Sequence, residues 1–203
     1  MRIAIPRETE AGEPRVAGTP DTVKRLKALG ADLVVEPGAG LASGITDADY
    51  EAAGASIAAD AVKDADVVLK VRRPGAAELK SYKRGAVVLA TMDPYGNEAA
   101  LADLARAGIA SFAMEFMPRI TRAQVMDVLS SQANLAGYRA VIDGAAEFGR
   151  ALPMMMTAAG TVPAAKIFVM GVGVAGLQAI ATARRLGAVV TATDVRPAAK
   201  EQV

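Results

Sequence analysis

One stretch constrains the fold more than any other: "KIFVMGVGVAGLQAIATARRLGAVVTATDVR", residues 166–196. An apolar strand leads into Gly171, Gly173 and Gly176, then a helical run, then a second apolar strand that ends in an acid. The spacing is G-x-G-x-x-G. The first glycine permits a tight turn, the second lets backbone approach a pyrophosphate, and the third lets the helix pack closely on the strand. The helix N-terminus adds unpaired N–H groups and a partial positive charge, which suit phosphate. Asp194 lies 18 residues beyond Gly176. An acid there accepts hydrogen bonds from the adenosine ribose and repels a 2′-phosphate, which favours NAD over NADP. Val195 and Arg196 follow it, and an arginine nearby can hold a 2′-phosphate, so Arg196 pulls the other way. Val174 faces the ligand across the turn or simply packs the helix start. The plain alternative is a glycine turn that serves only close packing.

The residues before this stretch alternate between two periods. "RIAI" (2–5), "DLVVE" (32–36), "DVVLKV" (66–71), "AVVLA" (86–90) and "IASFAM" (109–114) are apolar runs without in–out alternation. Strands covered on both faces read this way. Helical segments separate them. Thr19 and Pro20 open one and Gly30 ends it, while Asn97 is expected to cap a second that Gly108 closes. The pattern predicts an α/β fold of doubly wound parallel sheets. From Arg122 to about Arg150 the pattern is helical without proline. That predicts one long helix, ~40 Å at 1.5 Å per residue. The expected organisation is an N-terminal α/β domain (1–121), a long inter-domain helix (122–150) and the start of a Rossmann-like domain (151–203). A dinucleotide fold needs about six strands, and only two fit after residue 165. The chain is therefore expected to be a piece of a longer protein, inactive alone.

Composition narrows the chemistry. With 23 basic and 22 acidic residues spread along the chain, there is no basic block of the kind nucleic acid demands. There is no cysteine and no histidine, so acid–base work falls to Asp, Glu, Lys or Tyr, and no metal site is expected. The longest uncharged run, 167–183, has 17 residues and three glycines. A membrane span needs ~20, so no direct membrane insertion is expected.

Gln124, Asp127, Ser131, Asn134 and Tyr138 recur at helical spacing, with Ser130 beside them. A polar stripe is usually a solvated face. This one holds a single charge and several poor helix formers, which suits a cleft wall or a helix contact. The solvated face lies where Arg139 and Asp143 form an i,i+4 pair. Arg119 sits in "MPRIT", a loop before the helix.

Three segments carry a resemblance. "IPRETEAGEPRVAGTP" (5–20) and "VMGVGVAG" (169–176) resemble the two signatures of the alanine dehydrogenase and proton-translocating nicotinamide nucleotide transhydrogenase family. Residues 122–166 look very like the NAD(H)-binding domain of the transhydrogenase branch. The resemblance implies that this domain binds NAD(H), that a partner domain presents NADP(H), and that hydride passes directly between them. A membrane partner moves protons. The resemblance also implies a homodimer, cytoplasmic and peripheral to the inner membrane through its partners. A family loop beside the nicotinamide matches Arg119, Gln124, Asp127, Ser130 and Ser131. Gln124, Arg119 and Asp127 would form the catalytic group, and the serines would bind cofactor. Alanine dehydrogenases hold pyruvate with an arginine and a lysine, matched here by Arg15 and Lys70. Their catalytic histidine is missing from "LATMDPYGN". Amino-acid oxidation needs a proton acceptor, whereas transfer between two nicotinamide rings needs only proximity and orientation. A structural role is preferred for Arg15 and Lys70. The alternatives are an alanine-dehydrogenase-like enzyme and an inert NAD-binding fragment.

Overall fold

The computed structural model describes every residue except Arg119 and Val203. The chain forms two compact units, Met1–Met126 and Asp127–Val203.

The first unit holds β1 (Arg2–Ile5), α1 (Pro20–Ala28), β2 (Asp32–Val35), α2 (Asp47–Ala52), β3 (Ser56–Ile57), β4 (Val67–Arg72), β5 (Val87–Thr91), α3 (Glu98–Ala107) and β6 (Ala110–Ala113). Its six strands form one parallel sheet in the order β3-β2-β1-β4-β5-β6. Both faces are covered over β1, β2, β4 and β5, whereas the edge strand β6, whose apolar run reads the same way in the sequence, is mostly exposed. Ile3, Ile5, Leu33 and Val35 pack with Val23 and Tyr50 on one side. Ala4, Val34, Val68 and Val88 pack with Leu79 and Leu104 on the other. That is why these strands read as continuous apolar runs. The winding direction reverses between β1 and β4, the switch point of a doubly wound sheet.

Caps set the helix ends. The Thr19 side chain accepts from the Thr22 N–H, with Pro20 at the first helical position. The expected Asn97 cap is not made. Its amide donates to the Asp93 carbonyl (2.9 Å) and its oxygen accepts from Arg73 Nη2 (2.8 Å), so the side chain is spent on the β4 and β5 loops. Gly108 closes α3 in the left-handed region, φ 71°.

The second unit holds α4 (Val128–Glu147), β7 (Met155–Thr157), β8 (Gly160–Val162), β9 (Lys166–Met170), α5 (Val174–Arg185) and β10 (Val189–Thr193). β9 and β10 pair in parallel from Lys166↔Val189 to Met170↔Thr193, with α5 as the crossover. The helix expected over 122–150 is shorter. A 3-10 turn over Thr121–Met126 precedes it, and α4 itself spans 20 residues, ~30 Å at 1.5 Å each. The reason is Asp127. Its Oδ1 accepts from the Ser130 N–H at 2.9 Å, so this residue caps the helix and the residues before it lie outside. α4 packs on α5 around Gly137, where an added Cβ would meet the Ala175 carbonyl oxygen at 2.0 Å. The connection after α4 contains an antiparallel hairpin, Met155↔Val162 to Thr157↔Gly160.

Candidate functional site

The glycine turn is built as its spacing demands. Gly171 adopts φ +93°, a conformation that L side chains rarely take. Its N–H donates to the Thr193 carbonyl at 2.8 Å, locking the turn to the end of β10. A Cβ on Gly176 would stand 1.9 Å from the Gly171 carbonyl oxygen, so only glycine lets α5 approach β9 here. Gly173 precedes the first residue of α5, no side chain caps the helix, and a Cβ at Gly173 would meet open space. Nothing steric demands glycine at that position; what it leaves is bare backbone beside a helix N-terminus. Val174 is partly exposed at the same end.

Asp194 directly follows β10 and faces this turn. Its Oδ2 accepts from the Val172 N–H at 2.7 Å, and its Oδ1 accepts from the Arg196 N–H at 2.8 Å. The Arg196 guanidinium adds Nε to Oδ1 (3.0 Å) and Nη2 to Oδ2 (3.1 Å). The guanidinium, then the Val172 and Arg196 amides, hold the Asp194 carboxyl well below the usual carboxylate range. Val195 is almost fully exposed beside it.

The polar stripe is divided. Gln124 is an exposed residue of the 3-10 turn, not of α4, so helical spacing does not govern it. Asp127 and Ser130 are tied together as the α4 cap, with Ser130 Oγ donating to Asp127 Oδ2 at 2.6 Å. Ser131 Oγ donates to the Val128 carbonyl (3.1 Å), and Asn134 donates to Gln178 of α5 (3.1 Å). Tyr138 is exposed. Arg139 and Asp143 make the expected i,i+4 pair at 2.6 Å. Arg119 lies outside the described residues.

Arg15 and Lys70 are matched by carboxylates of their own unit, a network that residue spacing does not reveal. Lys70 is 5 % exposed. Its Nζ donates to Glu78 Oε1 at 2.6 Å and lies 3.6 Å from Glu8. Glu8 in turn accepts from the Val71 and Arg72 N–H groups. Arg15 pairs with Glu13 at 2.6 Å, and Arg72 reaches the same carboxylate at 2.9 Å. Arg15 above all lowers the Glu13 carboxyl to about 2. The only sign of this network in the sequence is the density of acids among residues 8–13.

Among the described residues no cluster of acids could hold a metal ion, and no helix is long and apolar enough to cross a membrane.

A parallel doubly wound sheet, followed by a second β-α-β unit with a glycine turn, defines a Rossmann-like α/β protein. The chain belongs to the alanine dehydrogenase/PNT family: residues 4–136 match its N-terminal domain and residues 140–203 its C-terminal domain. It is 59 % identical to the first part of the NAD(P) transhydrogenase alpha subunit of Rhodospirillum rubrum, over the whole chain and 55 % of that relative. It is 35 % identical to the alanine dehydrogenase of Mycobacterium tuberculosis, over 96 % of the chain and 54 % of that protein. Among solved structures, a transhydrogenase from Sinorhizobium meliloti superposes with a TM-score of 0.98 at 70 % identity, covering the whole chain and 61 % of the other. An L-alanine dehydrogenase superposes with a TM-score of 0.87 at 26 % identity, over the whole chain and 57 % of the other. The chain thus spans little more than half the length of the curated relatives it matches.

Proposed function

We propose that this chain is the NAD(H)-binding part of a proton-translocating transhydrogenase. The observation that carries the reading is the glycine turn: bare backbone at Gly173, an α5 N-terminus with no side-chain cap, and Asp194 held toward the turn by the Val172 N–H. These features fit a dinucleotide. The amides at the start of α5 would take the pyrophosphate, and Asp194 the adenosine ribose. The names of the similar proteins from Rhodospirillum rubrum and Sinorhizobium meliloti support the transhydrogenase branch.

When bound, the nicotinamide supplies a ring carbon that gives or takes a hydride. The chain's residues then serve position rather than proton transfer. By resemblance, Gln124 would hydrogen-bond where the two rings meet. Arg119 and Asp127 would orient the carboxamide and ribose, and Ser130 and Ser131 would bind cofactor. Val174, Val195 and Arg196 belong to the same proposed cofactor site. Proximity and orientation supply most of the rate in such a transfer. The partners in this reading are an NADP(H)-binding domain, a membrane proton channel and a second copy of the subunit. The protein would be cytoplasmic and peripheral to the inner membrane.

The alanine-dehydrogenase reading is weaker on chemical grounds. Arg15 and Lys70 are already paired with Glu13, Glu8 and Glu78, and the chain has no histidine to accept a proton. The test mixes the full-length protein with the NADP(H)-binding domain and follows reduction of an NAD analogue by NADPH. Transfer without alanine is expected. NADH production that depends on alanine, with no transfer from NADPH, would replace this reading with the second.

A further inference from the structure

Asp194 is fully occupied, and by whom matters. A carboxylate offers about four lone-pair sites. Two are taken by backbone donors, Val172 N–H on Oδ2 and Arg196 N–H on Oδ1. The other two are taken by one guanidinium, through Nε on Oδ1 and Nη2 on Oδ2. The backbone donors cannot leave without opening the turn, and they keep the carboxylate aimed. The guanidinium can leave. It sits on a long side chain that is 61 % exposed, while the Asp194 side chain is 8 % exposed. A vicinal ribose diol needs two acceptor sites on such a carboxylate, and only the guanidinium's two can be released.

We propose that Arg196 is an intramolecular plug, an occupant of the ribose-diol position that the coenzyme must displace. The inference rests on the NAD(H) reading of the glycine turn and deepens it. Binding is then an exchange. The guanidinium's two hydrogen bonds, and its weaker contact from Nη2 to the Val172 carbonyl (3.3 Å), give way to the two hydroxyl donors of the diol. Arg196 is also not a ready 2′-phosphate receptor. Swinging it toward a phosphate uncovers the Asp194 charge beside that same phosphate. One residue thus lowers the affinity for NAD(H) and leaves the preference against NADP(H) intact.

The test titrates the full-length protein with NADH by fluorescence, comparing wild type with Arg196→Gln and Arg196→Lys. The guanidinium side of this ion pair is exposed to water and holds its partner weakly, so removing the plug should tighten NADH binding by about two- to fivefold. Arg196→Lys keeps the charge without the fork and should fall between. An NADH analogue lacking the 2′-hydroxyl of the adenosine ribose asks less of Asp194 and should gain less from Arg196→Gln. A gain with NADH that shrinks with the deoxy analogue supports the plug. Equal or weaker NADH binding in Arg196→Gln overturns it, because Arg196 is then idle or a direct cofactor contact. No saturable NADH binding by either protein overturns the NAD(H) reading, and this inference with it.

Discussion

Gly137 and Gly144 lie on the same helix and should respond to alanine with opposite signs. In a helix interior, glycine to alanine ordinarily stabilises by ~0.5–1 kcal/mol through reduced backbone entropy in the unfolded chain. At Gly144 a Cβ meets nothing within 4 Å, so Gly144→Ala should show that gain. At Gly137 the Cβ would stand 2.0 Å from the Ala175 carbonyl oxygen and 3.0 Å from the Ala175 Cα. Ordinary contact lies at ~3.5 Å, so α4 and α5 would have to part by roughly 1.5 Å. Both clashing atoms are backbone, so no rotamer relieves them. Overpacking of this kind costs ~1–3 kcal/mol, which outweighs the entropy gain. The expected net effect of Gly137→Ala is a loss of about 1–2 kcal/mol. For a chain this size each kcal/mol moves Tm by ~2–4 °C. Thermal unfolding by circular dichroism should then show Gly137→Ala melting ~2–8 °C below wild type and Gly144→Ala ~1–4 °C above it. Because Ala175 is in the first turn of α5, Gly137→Ala should also weaken NADH binding, and Gly144→Ala should not. Equal shifts of the same sign, or a stabilised Gly137→Ala, would refute the close α4–α5 crossing.

Three further outcomes are expected. Asp194→Ala should weaken NADH binding and relax selection against NADPH in the full-length protein; unchanged selectivity in paired titrations would remove Asp194 from the ribose. Gln124→Asn should slow hydride transfer at saturating coenzyme more than it raises the Kd for NADH, and an unchanged rate would take Gln124 out of the site. Glu13 is held at about 2 from an ordinary 4.5, so it adds stability above its unfolded value that is lost as pH falls from ~4.5 toward ~2. Its partners are partly exposed, so screening leaves an effect on the order of 1–2 kcal/mol. Urea unfolding should lose that much more for wild type than for Glu13→Gln across the window, and parallel curves would sink the pairing.

The strands were legible because a two-face burial pattern leaves a continuous apolar run, and β1, β2, β4 and β5 carry one each. β9 and α5 were legible for another reason: the glycine spacing fixes where strand stops and helix starts. What stayed hidden depends on partners far along the chain. Ser56–Ile57 has only two residues to announce a strand. Asn97 has the right type for a cap, but Arg73, from a different loop, takes its oxygen. Asp127 has the spacing of a polar-stripe member, whereas its capping bond to Ser130 starts the helix and leaves Gln124 outside it. Gly137 lies within a helical run, and what requires glycine there, the Ala175 carbonyl, lies on another helix. Asp194 was identifiable as an acid at a strand end. That Arg196 folds back over both its oxygens follows from the turn's geometry and not from spacing.

The central claim is that a nicotinamide coenzyme lays its pyrophosphate against the first amides of α5. A crystal structure of the full-length protein with NADH tests it most directly. Pyrophosphate oxygens are expected within hydrogen-bonding distance of backbone N–H groups following Gly171, with the adenosine ribose on Asp194. A coenzyme bound elsewhere, with those amides contacting only protein atoms, would contradict it.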